Sequence, residues 1–366
     1  MNLFSKAGVS VVEFREYTFF VDVVIDKPIG SETFRKIYIE LLNAHNVLAF
    51  QLKSEKPVIR LIPFVHRSSI LIKYRWVLSA IAFTTIFLTG YGFAESLTAI
   101  VGPTSFTYTL LNSILYAVLF SLVLLVHEVG HLYVSRRSGV IVEGPVLIPA
   151  PPIQLGFLGT FGALIFAKTP PCSRRDLARM GLFGPLFGFV AATLVGVLGV
   201  FLSPTISYGE ALRLIEEGVL TSLNFTSLGF YLITLIRPLK PTDVLILHPV
   251  LFVTYVVYFI TFLNLLPIGQ LDGGHVLRSI TGSRVFNFIS MLVPITLLSV
   301  GLLLLLLRFE ASIYLGLGVV ALVLYLVLGK RGHPGVANQY DESKCYYCIV
   351  AYIALLVLTA PIPITA

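Results

Sequence analysis

Leu122-Val123-Leu124-Leu125-Val126-His127-Glu128-Val129-Gly130-His131-Leu132 places three ionisable side chains inside an apolar run. The run widens to Thr109–Val134, long enough for a helix to cross a bilayer, which takes roughly 20 apolar residues. On a helix of ~3.6 residues per turn, His127 and His131 fall on one face, one turn apart, and Glu128 is turned aside. Ionisable groups at membrane depth are expensive and mark function by default. Two imidazoles at this spacing can bind one Zn²⁺ at ~2.0–2.1 Å, leaving the adjacent carboxylate to act on water.

The rest of the chain has the same character. Of 366 residues, 56% are hydrophobic and 12% charged, against about 25% charged in soluble domains. These values exclude a water-soluble globule, a disordered chain and a fibrous one. Net charge is 26 − 19 = +7, which in a membrane protein reads as basic cytoplasmic loops and not as a nucleic-acid partner. Three cysteines are too few for a disulfide framework. Met1 to Tyr17 carries Lys6, Glu13, Arg15 and Glu16 and does not read as a signal peptide, so membrane entry is expected from an internal helix.

The expected fold is a polytopic α-helical membrane protein with six to seven transmembrane helices and a small soluble α+β domain at residues 1–72. Residues 73–366 form the membrane domain. In residues 1–72, Tyr17–Ile25, Val47–Leu52 and Val58–Phe64 read as strands, and Ser31 reads as the N-cap of a helix with Phe34, Ile37, Tyr38, Leu41 and Leu42 on one face. The expected crossings are Trp76–Ala94, Thr109–Val134, Met180–Leu202, Pro249–Pro267, Val285–Leu307, Ser312–Leu328 and Tyr346–Ile364. Gly218–Ile236 is apolar too, but reads as re-entrant or interfacial because a full crossing there would break the charge alternation.

Orientation follows from Lys and Arg in short loops. Arg67, Lys73, Arg75, Arg136, Arg137, Lys168, Arg174, Arg175, Arg179, Arg278, Arg284, Lys330 and Arg331 share one side if residues 1–72 are cytoplasmic. Arg213, Arg237, Lys240 and Arg308 are exceptions. The odd number of crossings sends Ala366 outside.

Catalytic zinc takes a third protein ligand and keeps an open position. The candidate lies in Asn264-Leu265-Leu266-Pro267-Ile268-Gly269-Gln270-Leu271-Asp272-Gly273-Gly274-His275, where Pro267 interrupts the helix and two glycines let Asp272 bend toward a metal. Four prolines between Pro145 and Pro152 exclude a helix there. The apolar, glycine-containing Leu155–Phe166 reads as a membrane-embedded β-hairpin, or as a buried structural loop.

His127-Glu128-Val129-Gly130-His131, together with Asn264-Leu265-Leu266-Pro267 and Leu271-Asp272-Gly273, resembles the site-2 protease family of intramembrane zinc metalloproteases. The glycine-rich Leu155–Ala163, the Gly184-Pro185-Leu186-Phe187-Gly188 element, His248-Pro249 and His333-Pro334 look similar to family elements as well. The resemblance covers roughly Trp76 to Pro363. It implies one zinc per chain on His127, His131 and Asp272, Glu128 as base, and Asn264 helping to hold the substrate backbone. It also implies membrane-anchored protein substrates and residence in the cell membrane. The alternatives are a metal-ion transporter and a non-catalytic metal-binding membrane protein, although no internal repeat of the transporter kind is evident. Cys345-x-x-Cys348, Cys172, His45 and His66 read as ordinary residues, Glu143 as solvated, and His275 as a possible neighbour of the ligand shell.

Overall fold

The computed structural model describes residues 2–102, 105–307, 312–330 and 332–364; Arg308, Arg331 and Ala366 lie outside them. A short helix α1 (Asn2–Lys6) leads into strands β1 (Val11–Glu16) and β2 (Val21–Ile25), helix α2 (Ser31–His45), and strands β3 (Val47–Leu52) and β4 (Val58–Pro63). The strands form one antiparallel sheet in the order β1-β2-β4-β3. The single strand expected over Tyr17–Ile25 is thus the second arm of a hairpin, with the chain reversing between Tyr17 and Phe20. The apolar face of α2 packs Phe34, Ile37, Tyr38, Leu41 and Leu42 on Val23, Ile25, Ala49 and Ile59. Gly30, not Ser31, caps α2, because the Ser31 hydroxyl is drawn to Asp341.

This small core is shared with distant parts of the chain. Cys172 and Ala337 are buried in it. Burial pushes the Cys172 thiol up to about 12, so it stays protonated and serves packing. The Gln51 amide donates to Asn338 (2.8 Å), and the Tyr38 hydroxyl donates to the carbonyl of Pro170 (3.0 Å).

Helix α3 (Ile70–Lys73) leads to α4 (Arg75–Val101) and α5 (Phe106–Arg137). Then come the paired strands β5 (Val142–Pro149) and β6 (Thr160–Ala167), and helix α6 (Arg174–Leu202). A peripheral stretch follows: β7 (Thr205–Ser207), α7 (Tyr208–Glu216), β8 (Phe225–Ser227), α8 (Leu228–Thr234) and β9 (Asp243–Leu245). The seven residues of α8 are too few to cross a bilayer at ~1.5 Å each. The chain continues through α9 (Pro249–Leu265), α10 (Asp272–Ile280), α11 (Ser283–Leu306), α12 (Ser312–Leu324) with a π-helical turn to Gly329, α13 (Tyr346–Thr359) and β10 (Pro361–Pro363). Helix α13 stops before the expected Ile364, because Pro361 and Pro363 cannot continue it and the chain pairs with β8 instead.

Among the described residues, α4, α5, α6 and α11 are long and apolar enough to cross a membrane; α9, α13 and Ile313–Gly329 are apolar but shorter. Half of the most apolar stretch of α5 is buried in protein, against 17% for α11. Helix α5 is therefore central, while α11 turns Leu302, Leu303, Leu305 and Leu306 outward. At about 25 cal/mol per Å² of apolar surface, such a face is unfavourable in water and at home in lipid. The chain is a multi-pass membrane protein.

Candidate metal centre

His127 and His131 project from the last three turns of α5, and both rings face α6. What admits them is a pair of glycines on that helix. A Cβ on Gly184 would fall on the imidazole of His131, and one on Gly188 would meet Nδ1 of His127 at 3.0 Å. Gly130, between the two histidines, abuts the Phe183 carbonyl just as closely. The small residues of α5 and α6 therefore let the backbones approach until the two rings fill the gap between them.

Asp272 arrives from the other side. Leu266 takes the extended backbone forced on a residue before proline, which ends α9. Gly269 turns the chain with φ +52°, and α10 begins at Asp272. A side chain at Gly273 would strike the Leu265 carbonyl, and one at Gly274 the Gly269 carbonyl. Only this tight nesting brings the Asp272 carboxylate onto the histidine pair.

The three ligand atoms converge. Nε2 of His127 and Nε2 of His131 are 3.1 Å apart, and the two carboxylate oxygens of Asp272 lie 3.4 Å from them, one each. Bonds of ~2.0–2.1 Å in a tetrahedron give edges of about 3.3 Å, so this spacing suits a zinc-sized ion. Tautomer agrees with geometry. A carbonyl can only accept, so Nδ1–H of His131 donates to the Met180 carbonyl (2.8 Å) and leaves the Nε2 lone pair for a metal. His127, His131 and Asp272 are the one group of this kind among the described residues.

The group opens on a cavity of about 430 Å³ whose wall includes Glu128, Asn264, Gln270 and His275. All five residues expected at the site from sequence are thus brought to one place. Glu128 is 5% exposed and sits beside the ligand group without belonging to it, as helical pitch requires. Strand β6 supplies part of the same wall, from Ala163 to Ala167. Strand β6 pairs with β5 on one edge and is unpaired on the other among the described residues.

Several features departed from the reading of the sequence. Glu143 is not solvated: its carboxylate forms ion pairs with Lys168 Nζ (2.9 Å) and with Nε2 of His66 (2.9 Å). The pairing of β5 with β6 places it at the base of the hairpin beside Lys168. Cys345 and Cys348 are joined by a disulfide at the start of α13. The carbonyl of Met180 left no trace in the sequence, since any residue supplies a carbonyl.

The sequence model of peptidase family M50 matches residues 115–308, more than half of the chain, and spans both halves of the metal group. The chain belongs to peptidase family M50. It is 29% identical over 168 residues to a probable chloroplastic zinc metalloprotease, EGY2, of Arabidopsis thaliana, a match covering 46% of this chain and 29% of that one. It is 28% identical over 167 residues to the corresponding protein of Oryza sativa subsp. indica, with the same coverage. It is 26% identical over 176 residues to the zinc metalloprotease MJ0392 of Methanocaldococcus jannaschii, covering 47% of this chain and 37% of that one. The matched region of this M50 chain is thus about a third of the length of these relatives. No solved structure matches it. The family favours a peptidase over the transporter and over the non-catalytic alternative.

Proposed function

We propose that this M50 chain is a zinc-dependent endopeptidase that cuts membrane-anchored proteins in or near their transmembrane segments. The observation that carries the proposal is the convergence of His127, His131 and Asp272 beside Glu128, at a cavity lined by both polar side chains and the apolar residues of β6. His127, His131 and Asp272 hold the ion. When bound there, zinc acidifies water and polarises a carbonyl. Glu128 takes the proton from the attacking water and delivers it to the amine nitrogen of the leaving strand. Asn264 offers a donor and an acceptor to the backbone of the substrate. A substrate unwound into an extended segment pairs with the free edge of β6, which we read as a membrane-embedded hairpin. Purified protein should carry about one zinc per chain. Full zinc occupancy after combined His127→Ala and His131→Ala replacement would refute the site. Asn264→Ala should lower turnover roughly tenfold or more while zinc stays in place, since it removes a substrate contact and no metal ligand. Unchanged cleavage would reduce Asn264 to a packing residue.

We also infer seven crossings, with residues 1–72 as a cytoplasmic unit and the zinc nearer that face. Residues 332–345 bond to the N-terminal strands and helix, Asn338 to Gln51 of β3 and Asp341 to Ser31 of α2, so they share their side. Strand β10 pairs with β8, in the loop that follows α6 on the far side. Helix α13 must then pass between the two faces. An Arg136→Cys variant in intact cells should resist an impermeant thiol reagent; rapid labelling would invert the whole orientation.

A further inference from the structure

His275 and His333 are 58 residues apart in sequence and meet edge to face, with Nδ1 of His275 and Nε2 of His333 2.7 Å apart. One contact fixes where the protons are. The backbone N–H of Gly335, which can only donate, lies 2.8 Å from Nδ1 of His333. Nδ1 of His333 is therefore unprotonated, and a neutral ring carries its proton on Nε2. That proton donates to Nδ1 of His275. The reverse arrangement would leave His333 accepting at both nitrogens, which neutral imidazole cannot do. Nδ1 of His275 is then unprotonated in turn, and its own proton sits on Nε2.

The histidine at the far end of this relay lines the metal cavity. His275 is three residues after Asp272 on α10, one turn along the same face, and it lines the cavity with Glu128, Asn264 and Asp272. Its Nε2 has no hydrogen-bond partner among the described residues. Held by its partner's fixed tautomer, the ring cannot present an acceptor there. Phe286 also packs edge to face with His333. We propose that His275 is a substrate-contacting hydrogen-bond donor, locked as the Nε2–H tautomer by His333, which engages a carbonyl oxygen of the peptide in the cavity as that oxygen gains negative charge. His333 is the positioning residue. The proposal rests on the peptidase reading above.

Preorganised donors of this kind are each worth about 10²–10³ in turnover. His275→Ala should therefore lower kcat about 10²-fold, with KM changed much less and zinc retained. His333→Leu removes the lock and should lower kcat about tenfold, while His333→Gln should restore most of it, because the Gln amide offers the same donor and acceptor. A packing role would not distinguish Leu from Gln in this way. The direct readout is nitrogen NMR of histidine-labelled, zinc-loaded protein in detergent. Nδ1 of His275 should be unprotonated and Nε2 protonated in the wild type, and His333→Leu should give mixed tautomers. A protonated Nδ1 on His275, wild-type turnover in His275→Ala, or a second zinc per chain lost on His333→Leu would each overturn the assignment. The spectrum needs no turnover, so a protein that cut no peptide would refute the peptidase reading and leave the tautomers to be decided separately.

Discussion

Glu128→Gln should bind zinc as the wild type does and turn over about 10³-fold more slowly, in the range typical of a lost general acid–base. The amide has the size of the carboxylate but cannot take up a proton from water. Glu128 lies off the face that carries the two ligands, so the change leaves their nitrogens and the Asp272 oxygens where they are. Zinc content and cleavage should therefore separate in this one variant. Cleavage within a few-fold of wild type would mean that another group is the base.

Gly184→Ala should do the reverse and weaken the metal site. The added methyl would overlap the imidazole of His131, and neither helix can retreat. On the neighbouring turn Gly130 already touches the Phe183 carbonyl, and the ring is tied to Met180 by its Nδ1–H. Overpacking a close helix contact costs about 1–3 kcal/mol. Here it would be relieved by swinging the ring away from Asp272, so zinc affinity should fall about 100-fold, the upper range for disturbed ligand orientation. Gly316→Ala on α12 meets open space and should leave zinc binding unaltered, which controls for a general effect of the substitution. A wild-type zinc affinity in Gly184→Ala would show that His131 is not held by this contact.

How much of this was visible in the sequence depends on the range of the interaction. The helix carrying His127 and His131 was legible because hydrophobicity and the i, i+4 spacing are local. Asp272 was legible because Pro267, Gly273 and Gly274 announce a break in a helix and room for a close approach. Contacts that join distant segments were not. The Ser31 hydroxyl looked like a local cap but bonds to Asp341, 310 residues on. Glu143 looked solvated until β5 and β6 set it beside Lys168. The glycines at 184 and 188 were visible as a pattern resembling a family element, but their purpose appears only when α6 lies against the histidines. The N-terminal sheet was readable from its β-branched runs, whereas its sharing of a core with Cys172 and Ala337 required the fold.

On the proposed function, His127, His131 and Asp272 hold a zinc ion that serves peptide cleavage within the membrane. The most direct measurement uses purified protein in liposomes with a labelled single-span peptide whose helix is loosened by a Gly-Pro pair, before and after removal of metal by a chelator. Cleavage inside the apolar span, lost on chelation and restored by about one equivalent of zinc, is the expected result. Cleavage that persists in fully stripped protein would contradict the account.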